Sequence, residues 1–215
     1  FLIDLKFNNN RPWFNENKER YLAAKKEFDT YIETLIPLLK KQDHSIDVNC
    51  AKECVYRIYR DVRFSKNKEP YKNSFGAYIS KGGRKSPYAG YYIHFEPDNS
   101  FIGGGIYQPS PTVLKSIRNQ IFEHTDAYKK ILTKKELKNE YSVLEGAKLK
   151  MAPKGFPKDF KDIDLLKNKH FTVRKKIDNE LWLKENSVEL ILKSFETQQD
   201  FNHFLNRAVE AEILS

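Results

Sequence analysis

The sequence predicts an α+β fold: one domain over residues 1–215, with a mostly antiparallel β-sheet packed against N- and C-terminal helices. Three observations predict it. Apolar residues recur at three- and four-residue steps near both ends, the period changes to two in the middle, and the strand-like segments follow one another instead of alternating with helices. A chain of 215 residues, 40% hydrophobic and 13% aromatic, can build a full core without a disulfide or metal staple. Twelve Tyr, fifteen Phe and two Trp exclude a disordered chain, and nine Gly with nine Pro leave no linker-like composition.

The first element, Phe1 to Phe7, reads as a helix already under way. Asn8, Asn9, Asn10, Arg11 and Pro12 break it, because Asn favours turns and Pro cannot sit inside a helix. A long helix is expected from Trp13 to Lys41, since Tyr21, Ala24, Phe28, Tyr31, Ile32, Leu35 and Leu39 fall on one stripe, and Pro37 is expected to kink its last turn. Four strands follow in a meander, Glu53–Asp61, Phe75–Ser80, Ala89–Glu96 and Ser100–Tyr107, with turns at Lys81-Gly82-Gly83-Arg84 and Pro97-Asp98-Asn99. Helices return at Pro111–Glu123 and Ala127–Tyr141, then an irregular stretch from Met151 to Asp162 and a strand at Phe171–Ile177. The chain ends in helix, with Val188, Ile191, Leu192 and Phe195 on one stripe and Phe201, Phe204, Leu205 and Ala208 on the next.

No stretch approaches the roughly 20 apolar residues that span a bilayer, and Asp4 and Lys6 stand where a signal peptide would be apolar, so a cytoplasmic protein without a membrane partner is expected. Cys50 and Cys54 are the only cysteines; a zinc site would need a second pair, and reduced structural thiols are expected instead. The net charge of +9 is uneven. Residues 51–177 carry a net +14, whereas residues 178–215 hold three basic groups against eight acidic ones. A basic centre of this kind steers anions toward one face, although a lysine-rich surface also serves solubility alone.

The densest chemical signal runs from Arg57 to Lys72, where six basic groups stand against two acidic ones. Three are arginines, whose planar forks take phosphate or carboxylate in a bidentate way. On a strand, Arg57, Tyr59 and Asp61 would share one face and Tyr56, Ile58 and Arg60 the other. That parity makes Arg57 and Asp61 either an ion pair or part of a cleft. Arg63 opens the loop beyond, with no acidic partner at strand spacing, and Lys68 and Tyr71 complete the segment. His94 and Glu96, two apart on a strand with Tyr92 beside them, point to one face; such a pair suits acid–base work, two metal ligands, or a hydrogen-bonded His on a half-exposed sheet. Gly103-Gly104-Gly105 lies inside a strand, which excludes a nucleotide phosphate loop and points to a bulge or a close approach of backbone or ligand. No Gly-x-Ser-x-Gly elbow, His-Glu-x-x-His pair or Cys-His nucleophile occurs.

The pattern Arg57-x-x-Arg60-Asp61-x-Arg63-Phe64 followed by Asn67-Lys68-x-x-Tyr71 resembles the signature of a bacterial family, domain of unknown function 2461. The resemblance extends to Asn9-Asn10-Arg11-x-Trp13-Phe14, Gly90-Tyr91-Tyr92-x-His94-x-Glu96-Pro97, Gly103-Gly104-Gly105, Pro153-Lys154-Gly155-Phe156 and Asp200-Phe201-x-x-Phe204-Leu205-Asn206-Arg207-Ala208. It implies a single cytoplasmic domain and no particular activity. The residues themselves point to a site for a phosphate- or carboxylate-bearing small molecule, with Arg57, Arg60, Asp61, Arg63, Lys68 and Tyr71 as ligand-binding groups and His94 with Glu96 as catalytic candidates. The alternative is a non-enzymatic nucleic-acid-binding module that uses the broad basic surface. No cofactor and no metal is expected.

Overall fold

The computed structural model describes residues 1–143 and 146–213. Its elements, in chain order, are α1 (Leu2–Phe7), α2 (Arg11–Glu16), α3 (Lys18–Gln42), α4 (Ala51–Cys54), β1 (Phe75–Ile79), β2 (Gly90–Phe95), β3 (Phe101–Ile106), α5 (Pro111–Glu123), α6 (Thr125–Thr133), α7 (Lys135–Glu140), β4 (Ser142–Val143), α8 (Ile163–Leu166), β5 (Phe171–Lys176), α9 (Asn179–Trp182) and α10 (Ser187–Ile213). The strands form one antiparallel sheet in the order β1-β2-β3-β5-β4, so the fold is α+β as the periodicities require. The β4–β5 register places Ser142 opposite Arg174 and Val143 opposite Val173.

Contacts gather the chain into two compact units, residues 1–84, 92–102 and 176–192 in the first and residues 85–91, 103–175 and 193–215 in the second. In the first unit the stripe on α3 buries Phe28, Ile32, Leu35, Ile36 and Leu39. Phe28 stacks on Phe75 of β1 at 5.4 Å, and Phe14 of α2 stacks on Tyr71 at 3.9 Å. In the second unit Phe195, Phe201, Phe204 and Leu205 of α10 are fully buried; Tyr91 lies 4.9 Å from Phe195, and Tyr128 lies 4.9 Å from Phe204.

A polar stripe runs beside those apolar residues. Gln198, Asn202 and Asn206, four residues apart, send their side-chain amides to the carbonyls of Gly103, Gly90 and Ala89 at 3.0, 3.0 and 3.3 Å, and Asn206 Oδ1 accepts from the Ala89 N–H at 2.7 Å. Buried strand carbonyls thereby gain donors from a helix.

Several boundaries differ from the expected ones. The single helix from Trp13 is two helices, because Asn17 closes α2 with its Nδ2–H on the Trp13 carbonyl and opens α3. Arg11 and Pro12 do not lie in the break; they begin α2, with the Asn10 side chain accepting from Trp13 N–H as an N-cap. The helix expected over Ala127–Tyr141 starts at Thr125 and divides at Lys134 into α6 and α7.

The largest correction concerns Glu53–Asp61, which is not a strand. Its first residues belong to α4, which Cys50 and Glu53 close as a capping box, with Glu53 Oε1 accepting from the Cys50 N–H at 3.1 Å and the Asn49 N–H at 2.8 Å. Beyond it the chain forms isolated bridges, Val55 with Ala77 and Tyr59 with Tyr71, and no continuous ladder among the described residues. Pro70, facing this segment, has no N–H to give a continuous ladder.

Among the described residues no helix is long and apolar enough to cross a membrane. Both cysteines are free thiols, and burial pushes Cys54 up to about 12.

Candidate anion-binding site

All of the sequence-predicted site residues fall within the first unit. The segment from Val55 to Ala77 is an open hairpin, held by Tyr56 N–H on the Gly76 carbonyl (2.9 Å), Arg60 N–H on the Pro70 carbonyl (2.9 Å) and Lys72 N–H on the Ile58 carbonyl (2.8 Å). Asn9 clamps it from outside: its Nδ2–H reaches the Tyr71 carbonyl at 3.0 Å and its Oδ1 accepts from the Tyr71 N–H at 3.1 Å. Tyr71 is therefore buried at the hairpin's base, stacked on Phe14, where it supports the fold.

The arginines are not paired as strand parity suggests. Asp61 accepts from Arg63 instead of Arg57, through the backbone N–H at 3.2 Å and the guanidinium at 3.0 and 2.7 Å. The chain bends at this point, which brings residues two apart together as a straight strand cannot. Arg63 thus has the acidic partner that spacing denied it, yet its side chain remains 77% exposed. The guanidinium holds the Asp61 carboxyl down at about 2. Whatever stability this pair adds is present above the ordinary Asp range and is lost as pH falls toward 2. Arg63→Ala should leave the thermal midpoint at neutral pH unchanged within scatter, while an NMR titration should show Asp61 moving back up; a marked drop in midpoint would make Arg63 a structural residue. Arg60 pairs with Glu69 at 3.3 Å, and the Lys68 ammonium donates to the Val62 carbonyl at 3.0 Å.

Lys72 is the cation that spacing did not single out. Its ammonium donates to the Arg57 carbonyl at 3.0 Å and lies 5.5 Å from the centre of the Tyr56 ring. Burial first, then the charges of Arg57 and Arg60, lowers its pKa. Among the described residues neither Arg57 nor Lys72 has a carboxylate within ion-pair distance.

Tyr92 and His94 on β2, with Glu96 just past its end, share a face, each within hydrogen-bond distance of the next. Tyr92 Oη lies 3.2 Å from His94 Nδ1, and His94 Nε2 lies 3.0 Å from Glu96 Oε2, which also accepts from Asn99 at 2.8 Å. A carboxylate can only accept, so it selects the Nε2–H form of a neutral ring and leaves Nδ1 to accept the Tyr92 hydroxyl proton. Burial, and after it Tyr56, raises Tyr92 to about 12, so its hydroxyl stays a donor at neutral pH. The Phe101 ring stacks on His94 at 4.6 Å.

These two groups of residues meet through aromatic rings, since Tyr56, under the Lys72 ammonium, lies edge-on to Tyr92 at 6.5 Å. Gly76 is needed there: a Cβ at this position would sit 2.9 Å from Tyr92 Oη. Gly76→Ala should displace that hydroxyl and break its hydrogen bond to His94, read as a changed ring-nitrogen shift in ¹⁵N spectra; an unchanged shift would contradict this placement. Beside Glu96 opens a cavity of about 170 Å³, lined also by Leu2, Ile3, Phe7, Pro97 and Asp98. Among the described residues no group of three or more His, Cys, Asp or Glu side chains is placed to hold a metal.

Gly103-Gly104-Gly105 marks a close approach of backbone. A Cβ on Gly103 would lie 2.2 Å from the Val173 carbonyl oxygen and one on Gly104 2.4 Å from that of Gly90, so the space over these glycines is filled by the protein itself.

The architecture is that of an α+β protein carrying a basic hairpin beside a Tyr-His-Glu face. The family model for domain of unknown function 2461, described as a conserved hypothetical protein, matches residues 1–204, and the chain belongs to this family. No curated protein and no solved structure matches it.

Proposed function

We propose that the base of the hairpin and the adjoining face of β2 form one site for a phosphate- or carboxylate-bearing small molecule in a cytoplasmic protein. Arg57 and Lys72 supply the charge, the Tyr92 hydroxyl supplies a donor, and His94 with Glu96 is positioned for proton transfer. The observation that carries this reading is the crowding of half-buried Lys72 with Arg57 and Arg60, of which only Arg60 has a carboxylate, Glu69, within ion-pair distance among the described residues. Like charges held together and partly desolvated are costly unless an anion joins them.

The test is the pH dependence of anion affinity. A bound anion stabilises charged Lys72, so binding takes up protons as pH rises through the lysine's lowered pKa, and affinity falls there, below the ordinary lysine range. Calorimetric titration with inorganic pyrophosphate should show this fall, and Lys72→Met should weaken binding at neutral pH and remove that limb. An identical profile in Lys72→Met would remove Lys72 from the site.

A further inference from the structure

Phe64 is 96% exposed, the most exposed large apolar side chain of the described residues. Nothing in the packing explains it, and hydrogen bonds tie the chain together on both sides of it. On one side Arg63 is fixed to Asp61 through three bonds. On the other, Lys68 ties back to the Val62 carbonyl at 3.0 Å, Glu69 N–H donates to Asn67 Oδ1 at 2.8 Å, and Asn67 Nδ2 donates to Glu69 Oε2 at 2.9 Å. The hairpin tip is thus a closed finger that holds one aromatic ring out into solvent. Around it stand Arg63, Lys66 and Lys68, and the segment's two carboxylates, Asp61 and Glu69, are both engaged by arginines. Lower on the same hairpin Tyr59 offers a second ring, 49% exposed.

We propose that this finger binds single-stranded nucleic acid, with a base stacked on Phe64 and neighbouring phosphates met by Lys66, Lys68 and Arg63. This rests on reading the hairpin as an anion-binding element and names a polymeric anion for its tip. An exposed ring among cations suits stacking, because every base presents a π-face. A protein partner would ask for a contiguous apolar patch, which one ring does not supply.

The probe is a fluorescein-labelled thymidine oligonucleotide of about twelve nucleotides, followed by anisotropy at ~50 and ~200 mM salt. Wild type should bind, and bind more weakly at the higher salt. Phe64→Ala should weaken binding about tenfold with the salt slope unchanged, Phe64→Tyr should restore it, and Lys66→Ala should lower the slope by about 0.7. Because Phe64 and Lys66 are exposed, all three variants should melt as wild type does. No binding at the lower salt, equal affinity in Phe64→Ala, or Phe64-dependent binding to phosphatidylserine vesicles without oligonucleotide binding would each overturn the proposal. If the oligonucleotide fails while pyrophosphate still binds through Arg57 and Lys72, the finger's role falls and the small-anion site stands; if pyrophosphate fails and the Phe64-dependent oligonucleotide contact persists, the reverse holds.

Discussion

Alanine at Gly103 is expected to prevent stable folding. The added methyl carbon would sit 2.2 Å from the Val173 carbonyl oxygen, 3.3 Å from the carbon that bears it and 3.5 Å from the Arg174 Cα, all of them backbone atoms of β5. A side chain end can rotate away from such a clash, but a paired strand cannot. Its retreat would break the ladder that also carries β4. Overpacking of a well-filled core costs about 1–3 kcal/mol, and here the loss of pairing adds to it, so about 4 kcal/mol or more is expected. That is a large share of the stability of an ordinary domain. Urea denaturation should show a strongly lowered midpoint or insoluble protein. A midpoint near that of wild type would mean that β3 and β5 are not as close as described.

The second large effect is expected from Arg57→Ala combined with Lys72→Ala, which should leave the fold intact and reduce pyrophosphate affinity by about two orders of magnitude, since each charged contact to an anion is worth about 1.5–3 kcal/mol. The two act on one ligand and the Lys72 ammonium rests on the Arg57 carbonyl, so their effects should couple instead of adding simply. Among the described residues neither has a carboxylate within ion-pair distance to strand, which is why folding should tolerate the loss. Removing Asp61 from the same segment is a useful contrast, because its carboxylate is bound to Arg63 and should contribute nothing attractive to an anion. Wild-type affinity in the double variant would move the site away from the hairpin base.

The fold was legible where periodicity is strict. The α3 stripe and β1, β2, β3 and β5 lie close to where apolar spacing and glycine or proline punctuation place them. What escaped was set by local hydrogen bonding that spacing does not report. Glu53 looks like the start of a strand because it precedes Val55, Tyr56 and Ile58, yet its carboxylate caps a turn of helix instead. The short β4 exists only because Val143 finds Val173 in register, and two residues carry no period of their own.

The candidate site divides in the same way. His94 and Glu96 were visible as a pair, because strand alternation alone brings residues two apart to one face, and their 3.0 Å contact follows from that. The Asp61–Arg63 pair was hidden because parity assumes a straight chain. Lys72 was hidden because its place beneath Tyr56 depends on the hairpin's register, which is fixed by Asn9 some sixty residues away. Gln198, Asn202 and Asn206 form a helical stripe that counting apolar residues passes over, and a search for amides at four-residue steps would have found it.

We propose that the hairpin base and the Tyr-His-Glu face serve one anion. The most direct test of this reading is a pyrophosphate titration of ¹⁵N-labelled protein followed by NMR, observing backbone amides together with the side-chain nitrogens of Arg57, Lys72 and His94. Saturable shifts concentrated at Tyr56, Arg57, Lys72, Tyr92 and His94, with a common dissociation constant, are expected. Shifts scattered over the lysines of residues 129–161, or shifts at the hairpin that leave Tyr92 and His94 untouched, would contradict it.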